Sequence, residues 1–119
     1  MIVQEYDSKG QVVNTRCDID ITEDDRVVGQ ITYFIDSSTE EKLTYLASMV
    51  IFKGYSIMSI GTEVIKQLAS LHNGVYLCPD NEDSERLCRR LGEELDSRHI
   101  PPAFQSSYDE YGKMYFVEG

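Results

Sequence analysis

The reactive side chains of this sequence are few and far apart. The three cysteines, Cys17, Cys78 and Cys88, are widely spaced, and none belongs to a Cys-x-x-Cys pair, which argues against a disulfide framework and a zinc site. His72 ends a predicted helix and His99 lies in a proline-flanked loop, so a capping or surface role is the simpler interpretation of each. The sequence therefore indicates reduced thiols, no metal site and no catalytic triad.

A second kind of chemistry is available where a predicted strand leads into a helix. Residues 51–62 read Ile-Phe-Lys-Gly-Tyr-Ser-Ile-Met-Ser-Ile-Gly-Thr. The first backbone N–H groups of a helix have no partner within it, and the helix dipole makes this end positive, so such a turn can bind an anion. Taken alone, the spacing also fits an ordinary strand-to-helix connection.

Alternating apolar and polar residues predict strands in the first half of the chain. Residues 13–21 and 26–35 each place their apolar side chains on one parity, the period of a half-buried strand. Residues 22–25 supply turn residues, so the two strands are expected to form an antiparallel hairpin. Residues 43–52 are apolar on both parities, as expected for a central strand that is covered on both faces.

Helical spacing of apolar residues appears twice in the second half. It predicts a first helix over residues 60–71, which ends at Asn73 and Gly74 because both residue types suit a left-handed cap. A second helix follows, with Asp80 or Asn81 as its N-cap.

The remaining segments complete an α/β pattern. Residues 75–78 are a short predicted strand, residues 99–107 are an expected loop with two prolines, and residues 113–117 alternate as a final strand. Hairpin strands followed by a strand-helix-strand unit predict one domain over residues 1–119, a sandwich in which a mixed, mostly antiparallel sheet is flanked by helices.

The strand-to-helix turn resembles the pyrophosphate loop of the GNAT family of N-acetyltransferases. In that family an apolar strand end and a Tyr precede the pattern Arg/Gln-x-x-Gly-x-Gly/Ala, and the helix begins at the last small residue. Here Tyr55 precedes residues 56–61, Ser-Ile-Met-Ser-Ile-Gly. Ser56 replaces the family's Arg or Gln and Ser59 replaces its first Gly, whereas Gly61 is retained.

Residues 81–92 resemble a second GNAT motif, Asn-x-x-Ala-x-x-Leu/Phe-Tyr-x-x-Leu-Gly. They read Asn-Glu-Asp-Ser-Glu-Arg-Leu-Cys-Arg-Arg-Leu-Gly, with the Asn, the small residue, the Leu and the final Leu-Gly in register. The family's Asn lies near the pantetheine arm of the coenzyme, so the resemblance implies that Asn81 contacts it. A plain helix N-cap is the alternative. The resemblance spans residues 43–92 and implies an acyl-CoA N-acyltransferase-like fold.

The same resemblance implies acetyl-coenzyme A as the cofactor and assigns residues to it. The predicted cofactor-binding residues are Val50, Ile51, Ser56, Ile57, Met58, Ser59, Ile60, Gly61, Thr62 and Asn81. The family often uses a Tyr to protonate the leaving thiolate, and Cys88 stands at that position, with core packing as the alternative. Tyr115 is the second candidate catalytic residue, chosen from a titratable set that also holds Glu40, Glu41, Tyr108 and Tyr111. Solvated or packing roles are the alternative for each member of that set.

The charge of the chain limits its partners. Eleven Lys and Arg against twenty-one Asp and Glu give a net charge of -10, which repels nucleic acid and anionic lipid. Neither a membrane span nor a signal peptide is indicated, so the cytoplasm is the expected location. Arg86, Arg89 and Arg90 form the one basic cluster. They could meet the 3′-phosphate of coenzyme A or pair with neighbouring carboxylates along their helix.

Two functions follow as expectations. The first is a small N-acetyltransferase that moves acetyl from acetyl-coenzyme A to an amine of a protein or small molecule. The second is a catalytically inactive GNAT-like protein that serves as an acidic protein-binding or inhibitory module, because the motif side chains that tune the reaction are the ones replaced. A protein partner or a homodimer is compatible with these functions, and no acceptor is indicated.

Overall fold

A seven-stranded mixed sheet organises the structure, a computed structural model that describes residues 1–119. The strands are β1 (Ile2–Tyr6), β2 (Val12–Glu23), β3 (Arg26–Asp36), β4 (Leu43–Ile51), β5 (Val75–Leu77), β6 (Glu93–Glu94) and β7 (Tyr115–Val117). The helices are α1 (Ile57–His72), α2 (Glu82–Leu91) and α3 (Gln105–Tyr111), with 3₁₀ turns at Ser97–His99 and Pro102–Phe104. None of the helices has the length and apolar character that a bilayer crossing requires. The predicted α/β class with a mixed sheet is confirmed.

The strands lie in the order β1-β2-β3-β4-β5-β7-β6, and β4 and β5 are the one parallel pair. The predicted hairpin is confirmed: β2 and β3 pair antiparallel from Asn14 opposite Asp36 to Glu23 opposite Arg26. Asp24 and Asp25 make the turn with φ of 51° and 64°. Asp tolerates this left-handed conformation, and two such residues match the twist of a hairpin.

Helix α1 begins at Ile57, so the predicted start at residue 60 is wrong by three residues. Ser56 is the N-cap, and its Oγ accepts a hydrogen bond from the Ser59 N–H at 3.1 Å. This polar cap fixes a start that apolar periodicity cannot locate. The helix ends as expected at Asn73, whose φ is 58°. Ser59 is therefore an ordinary helical residue of the first turn and does not lie in an open loop.

The expected loop at residues 99–107 is also wrong in part, because it contains the 3₁₀ turn at Pro102–Phe104 and the start of α3. Phe104 is buried with its ring 5.2 Å from that of Tyr45 and 5.4 Å from that of Tyr76. This aromatic packing holds α3 against the sheet. Strands β1 and β6 were not predicted either.

The strand β4 is covered on both faces only in its first half. Thr44, Tyr45 and Leu46 are buried, whereas Ser48 and Val50 beyond them are exposed. The expectation that the whole strand is covered on both faces is thus wrong for its carboxyl end. That end is free to contact a ligand.

Two apolar clusters cover the two faces of the sheet. Helices α1 and α2 pack on one face, and a smaller cluster with Tyr45, Ile100, Phe104 and Met114 covers part of the other. Gly61 brings α1 close to its neighbours, because a Cβ there would lie 2.8 Å from Cδ2 of Leu87.

Candidate functional site, a wedge between two parallel strands

The parallel strands β4 and β5 separate towards their carboxyl ends. They pair at two positions, Tyr45 with Tyr76 and Leu46 with Leu77, and β4 then continues to Ile51 against β3 alone. The space between the strands is a cleft of about 270 Å³, which we call the wedge. Beyond Leu46, the edge of β4 that faces the wedge has no strand beside it. Its backbone groups are available to an extended ligand, as at other open sheet edges.

A β-bulge marks the point where the strands part. The register between β3 and β4 shifts between the pairs Thr32–Ser48 and Tyr33–Leu46, which leaves Ala47 as the extra residue. Bulges bend the strand that carries them and are frequent beside functional sites. Ala47 lines both the wedge and a second cleft.

The amino end of α1 lies at the wedge, which Ile57 lines. The backbone N–H groups of Ile57 and Met58 have no intramolecular partner, whereas that of Ser59 is bonded to the Ser56 side chain. The first turn carries no acidic residue. Two free donors at the positive end of a helix dipole suit a phosphate-type anion.

The amino end of α2 also reaches the wedge, and, as in α1, the backbone N–H groups of its first two residues, Glu82 and Asp83, have no intramolecular partner. The Asn81 side chain accepts from the Ser84 N–H at 2.9 Å, and Ser84 Oγ accepts from the Asn81 N–H at 3.1 Å, a capping box. The first turn also contains Glu82, Asp83 and Glu85, whose carboxylates offset the dipole. An anion is therefore better placed at α1. Asn81 is an N-cap that also lines the wedge.

The structure brings together part of the predicted cofactor set. Val50, Ile51, Ile57 and Asn81 line the wedge. Ser56, Met58 and Ser59 form the cap and first turn of α1 next to it.

The last three predicted cofactor residues, Ile60, Gly61 and Thr62, lie within α1. The motif predicts an open turn as far as residue 61, whereas the helix already begins at Ile57. Ile60 and Gly61 are buried within the helix, and the Thr62 hydroxyl donates to the Met58 carbonyl. The contact with Leu87 gives Gly61 a packing role that the motif did not indicate.

The candidate acid Cys88 belongs to the core at the floor of the wedge. Its side chain is fully buried, and burial raises the pKa of the thiol to about 12, with smaller contributions from Cys78 and Glu85. A free thiol has a pKa of about 8.5. Proton transfer from Cys88 to a leaving thiolate of that kind is therefore uphill, and packing accounts for this residue.

The candidate acid Tyr115 is buried on β7 and does not line the wedge. Its hydroxyl lies near the Arg89 guanidinium, whose pKa it raises. Arg89 also bonds Glu85 at 2.8 Å, and Arg86 lies 3.8 Å from Asp83. These two arginines thus form helical ion pairs, the second of the two roles considered for the basic cluster.

The sequence did not indicate Ala47, which the structure places at the centre of this region. Small residues within an apolar strand, with Pro79 just after the neighbouring strand, were the available signals. Among all the side chains, no group of three or more His, Cys, Asp or Glu could hold a metal ion. In comparisons with known proteins, the chain matches no protein-family model and no curated protein.

Proposed function

We propose that this protein is a small GNAT-like N-acetyltransferase that binds acetyl-coenzyme A in the wedge and transfers acetyl to an amine. The observation that carries the proposal is the separation of the parallel strands β4 and β5 beside the two free N–H groups of α1, those of Ile57 and Met58. Ligands of open α/β sheets bind where adjacent strands part at their carboxyl ends. We place the activity in the cytoplasm, in agreement with three free cysteines.

The residues present fit the coenzyme in two respects. The pantetheine arm is an extended chain with two amides, and the open edge of β4 beyond Leu46 offers backbone donors and acceptors for them. The diphosphate suits the free N–H groups of Ile57 and Met58, since the first turn of α1 carries no carboxylate of its own. Together these groups would hold the coenzyme along β4, with its acyl end towards Ala47.

Acetyl-coenzyme A supplies the acyl group as an activated thioester. In the transfer, the amine nitrogen forms a C–N bond to the acyl carbon, the C–S bond breaks, and the proton lost by the amine balances the one gained by the thiolate. Neither Cys88 nor Tyr115 is well suited to move that proton. The contribution of the chain is therefore to bind and orient both reactants, which is a large part of the catalysis of a bimolecular reaction.

Titration of coenzyme A by calorimetry, with a matched pair of tryptophan variants, tests the site. Ser48 is exposed and lines the wedge, whereas Ser70 is exposed on α1 and lines none of the larger clefts. An indole at position 48 would fill much of the about 270 Å³ available. We expect Ser48→Trp to weaken binding at least about tenfold, a loss of about 1.4 kcal/mol, and Ser70→Trp to bind like the wild type.

Two results would count against the proposal. The first is absence of heat and of thermal stabilisation at millimolar coenzyme A in the wild type. The second is equal affinity in the two tryptophan variants, which would place the coenzyme elsewhere. Mass spectrometry of an amine mixture incubated with labelled acetyl-coenzyme A then reports transfer itself.

A second candidate function is an inactive GNAT-like module that binds a protein. The burial of Cys88 and the position of Tyr115 favour it, because neither of the two candidate acids is placed to protonate a leaving thiolate. This alternative predicts a stoichiometric protein partner and no acetylated product. A homodimer without another partner, together with acetyl transfer, would exclude it.

A further inference from the structure

The face of the sheet that carries α1 and α2 is not fully covered. Helix α1 packs mainly on β4, β5 and β7, so β1 and β2 lie beyond its edge. The β2 side chains on this face, Cys17, Ile19 and Ile21, are apolar, and so is Ile2, which pairs with Cys17. Ile19 is 45% exposed and Ile2 is 68% exposed. The apolar parity of a strand normally faces a covering layer, and here that layer is incomplete.

Two clefts lie along the open side of α1. One, of about 410 Å³, lies between β2 and the part of the helix from Ser59 to Leu71. The other, of about 1070 Å³, lies between β1 and the end of the helix from Leu71 to Gly74. Tyr33 and Leu71 line both clefts, which together we call the α1 groove. Leu71 is 78% exposed, and adjoining exposed apolar residues of this kind mark interaction surfaces.

The α1 groove has the dimensions for one further helix. It follows α1, which has 16 residues and is about 24 Å long. Packed helices lie about 8–10 Å apart, which is about two strand spacings. Because α1 packs on β4 and β5, a helix beside it would lie over β2, two strands from β4. It would cover Ile19 and Leu71, as an amphipathic helix covers the floor of an apolar groove.

The charges of the α1 groove are acidic at one end. The cleft beside β2 is lined by Asp20, Glu23 and Glu63 and by no Lys, Arg or His. Glu23 and Glu63 are exposed and take part in none of the ion pairs. The larger cleft holds charges of both signs, those of Glu41 and Lys42. Electrostatic complementarity therefore favours a partner with basic residues at the Glu63 end, and the net charge of -10 speeds its approach.

A second copy of this chain does not offer such a helix. The arginine cluster is on α2, but the apolar residues Leu87 and Cys88 of that helix are buried in its own core. Helix α3 carries two acidic residues and no basic one. The occupant is therefore a helix of a different molecule.

We propose that the α1 groove is the docking site for an amphipathic helix of another protein, with an apolar stripe and basic residues beside it. The stripe packs on Ile19 and Leu71, and the basic side chains meet Glu23 and Glu63. None of the residues that line the groove lines the wedge. The inference therefore does not depend on acetyl transfer and applies to an enzyme and to an inactive module alike.

A synthetic peptide of the length of α1, with leucines at helical spacing and lysines beside them, is the probe. We expect it to bind in calorimetry and to shift the amide signals of Ile19, Glu63 and Leu71 in the ¹⁵N-labelled protein. A scrambled peptide of the same composition, without the leucine stripe, should bind at least about tenfold more weakly. The same peptide with glutamate in place of lysine should not bind measurably.

A matched pair of variants tests the apolar floor of the groove. Ile19 and Val27 are strand residues of nearly equal exposure, 45% and 44%, but only Ile19 lines the groove. Ile19→Thr should weaken peptide binding about fivefold, because nearly half of this residue remains to be covered. Val27→Thr should change the affinity at most about twofold.

A second matched pair tests the acidic end. Glu23→Gln/Glu63→Gln should bind the lysine peptide about tenfold more weakly, since exposed ion pairs contribute up to about fivefold each. Glu93→Gln/Glu110→Gln removes two exposed charges outside the groove. At physiological salt this control should change the affinity at most about twofold.

Several results would overturn the proposal. These are equal binding of the scrambled or the glutamate peptide, equal weakening within either pair of variants, and amide shifts confined to the wedge. A concentration-dependent dimer that Leu71→Gln abolishes would instead assign the groove to a second copy. Peptide binding without coenzyme A binding would overturn the proposed acetyl transfer alone, and the reverse result would overturn the groove alone.

Discussion

Replacement of Gly61 by alanine separates a packing role from a coenzyme-binding role at this position. Gly61 is buried inside α1, and a Cβ there would lie 2.8 Å from Cδ2 of Leu87 and 3.1 Å from Cε of Met49. Both contacts are closer than normal van der Waals distances, so the two side chains must move. Because Leu87 is almost fully buried, it has little space to move into.

The expected loss of stability follows from two opposing effects. Alanine in place of glycine stabilises a helix interior by about 1 kcal/mol, whereas an extra methyl in a packed core costs about 1–3 kcal/mol. We therefore expect Gly61→Ala to lower the free energy of unfolding by about 1 kcal/mol. The loss of stability caused by Gly61→Ala should disappear in a Leu87→Ala background, because the new methyl group then partly fills the cavity that the shortened side chain leaves. A double-mutant cycle of the two substitutions should therefore give a coupling free energy of about 1 kcal/mol or more.

Urea denaturation followed by circular dichroism measures these free energies, and calorimetry on the same samples measures coenzyme A affinity. The packing role predicts reduced stability, with the affinity of the folded protein within about twofold of the wild type. A Gly61→Ala protein about 1 kcal/mol more stable than the wild type would refute the packing argument. A large loss of coenzyme A affinity in Gly61→Ala without a loss of stability would instead show that Gly61 contributes to coenzyme binding.

Three further predictions concern single side chains. Asn81→Ala should lower the free energy of unfolding by about 1 kcal/mol, measured by thermal unfolding, because the capping box is lost, whereas Asn81→Asp should retain most of it. Cys88 should react with a thiol-specific reagent at pH 8 only after unfolding, since at a pKa of about 12 only about one thiol in ten thousand is ionised. Burial against Tyr33 lowers the pKa of His72 below 6.5, so the neutral form stabilises the fold above pH 6.5 and this contribution is lost as the pH falls. Urea titrations at pH 7 and pH 5 should therefore show a smaller drop in the free energy of unfolding for His72→Gln than for the wild type. An equal drop in the two proteins would show that His72 does not cause the loss of stability at low pH.

The parts of the fold that local residue types dictate were predictable. The hairpin between β2 and β3 has two residues suited to its turn, Asp24 and Asp25. The cap of α2 is fixed by Asn81 and Ser84, and the end of α1 by Asn73. In each case a side chain satisfies or shapes the backbone beside it, so sequence position alone is informative.

Elements that depend on distant packing were not predictable. Helix α3 is short and mostly polar, has no side-chain cap, and follows two prolines, so its local signal favours a loop. It forms beside Phe104, which packs on Tyr45 from β4 about sixty residues earlier. The wedge has the same origin, because the separation of β4 from β5 depends on a bulge and on the short length of β5. Residues of the two motifs, Ile57 and Asn81 among them, line the wedge, but the motifs did not indicate Ala47.

The outer strands of the sheet differ in a way that limits how copies of this chain can assemble. β6 is two residues long and both are glutamates, whereas β1 has five residues and exposes Ile2, Val3 and Tyr6. Of the two outer strands, only β1 is long and apolar enough to pair with the backbone of another molecule, and short, charged edges resist such pairing. Edge-to-edge association therefore closes at two copies related by a two-fold axis. Growth into a fibre through the outer strands would need a second adhesive edge, which β6 does not provide.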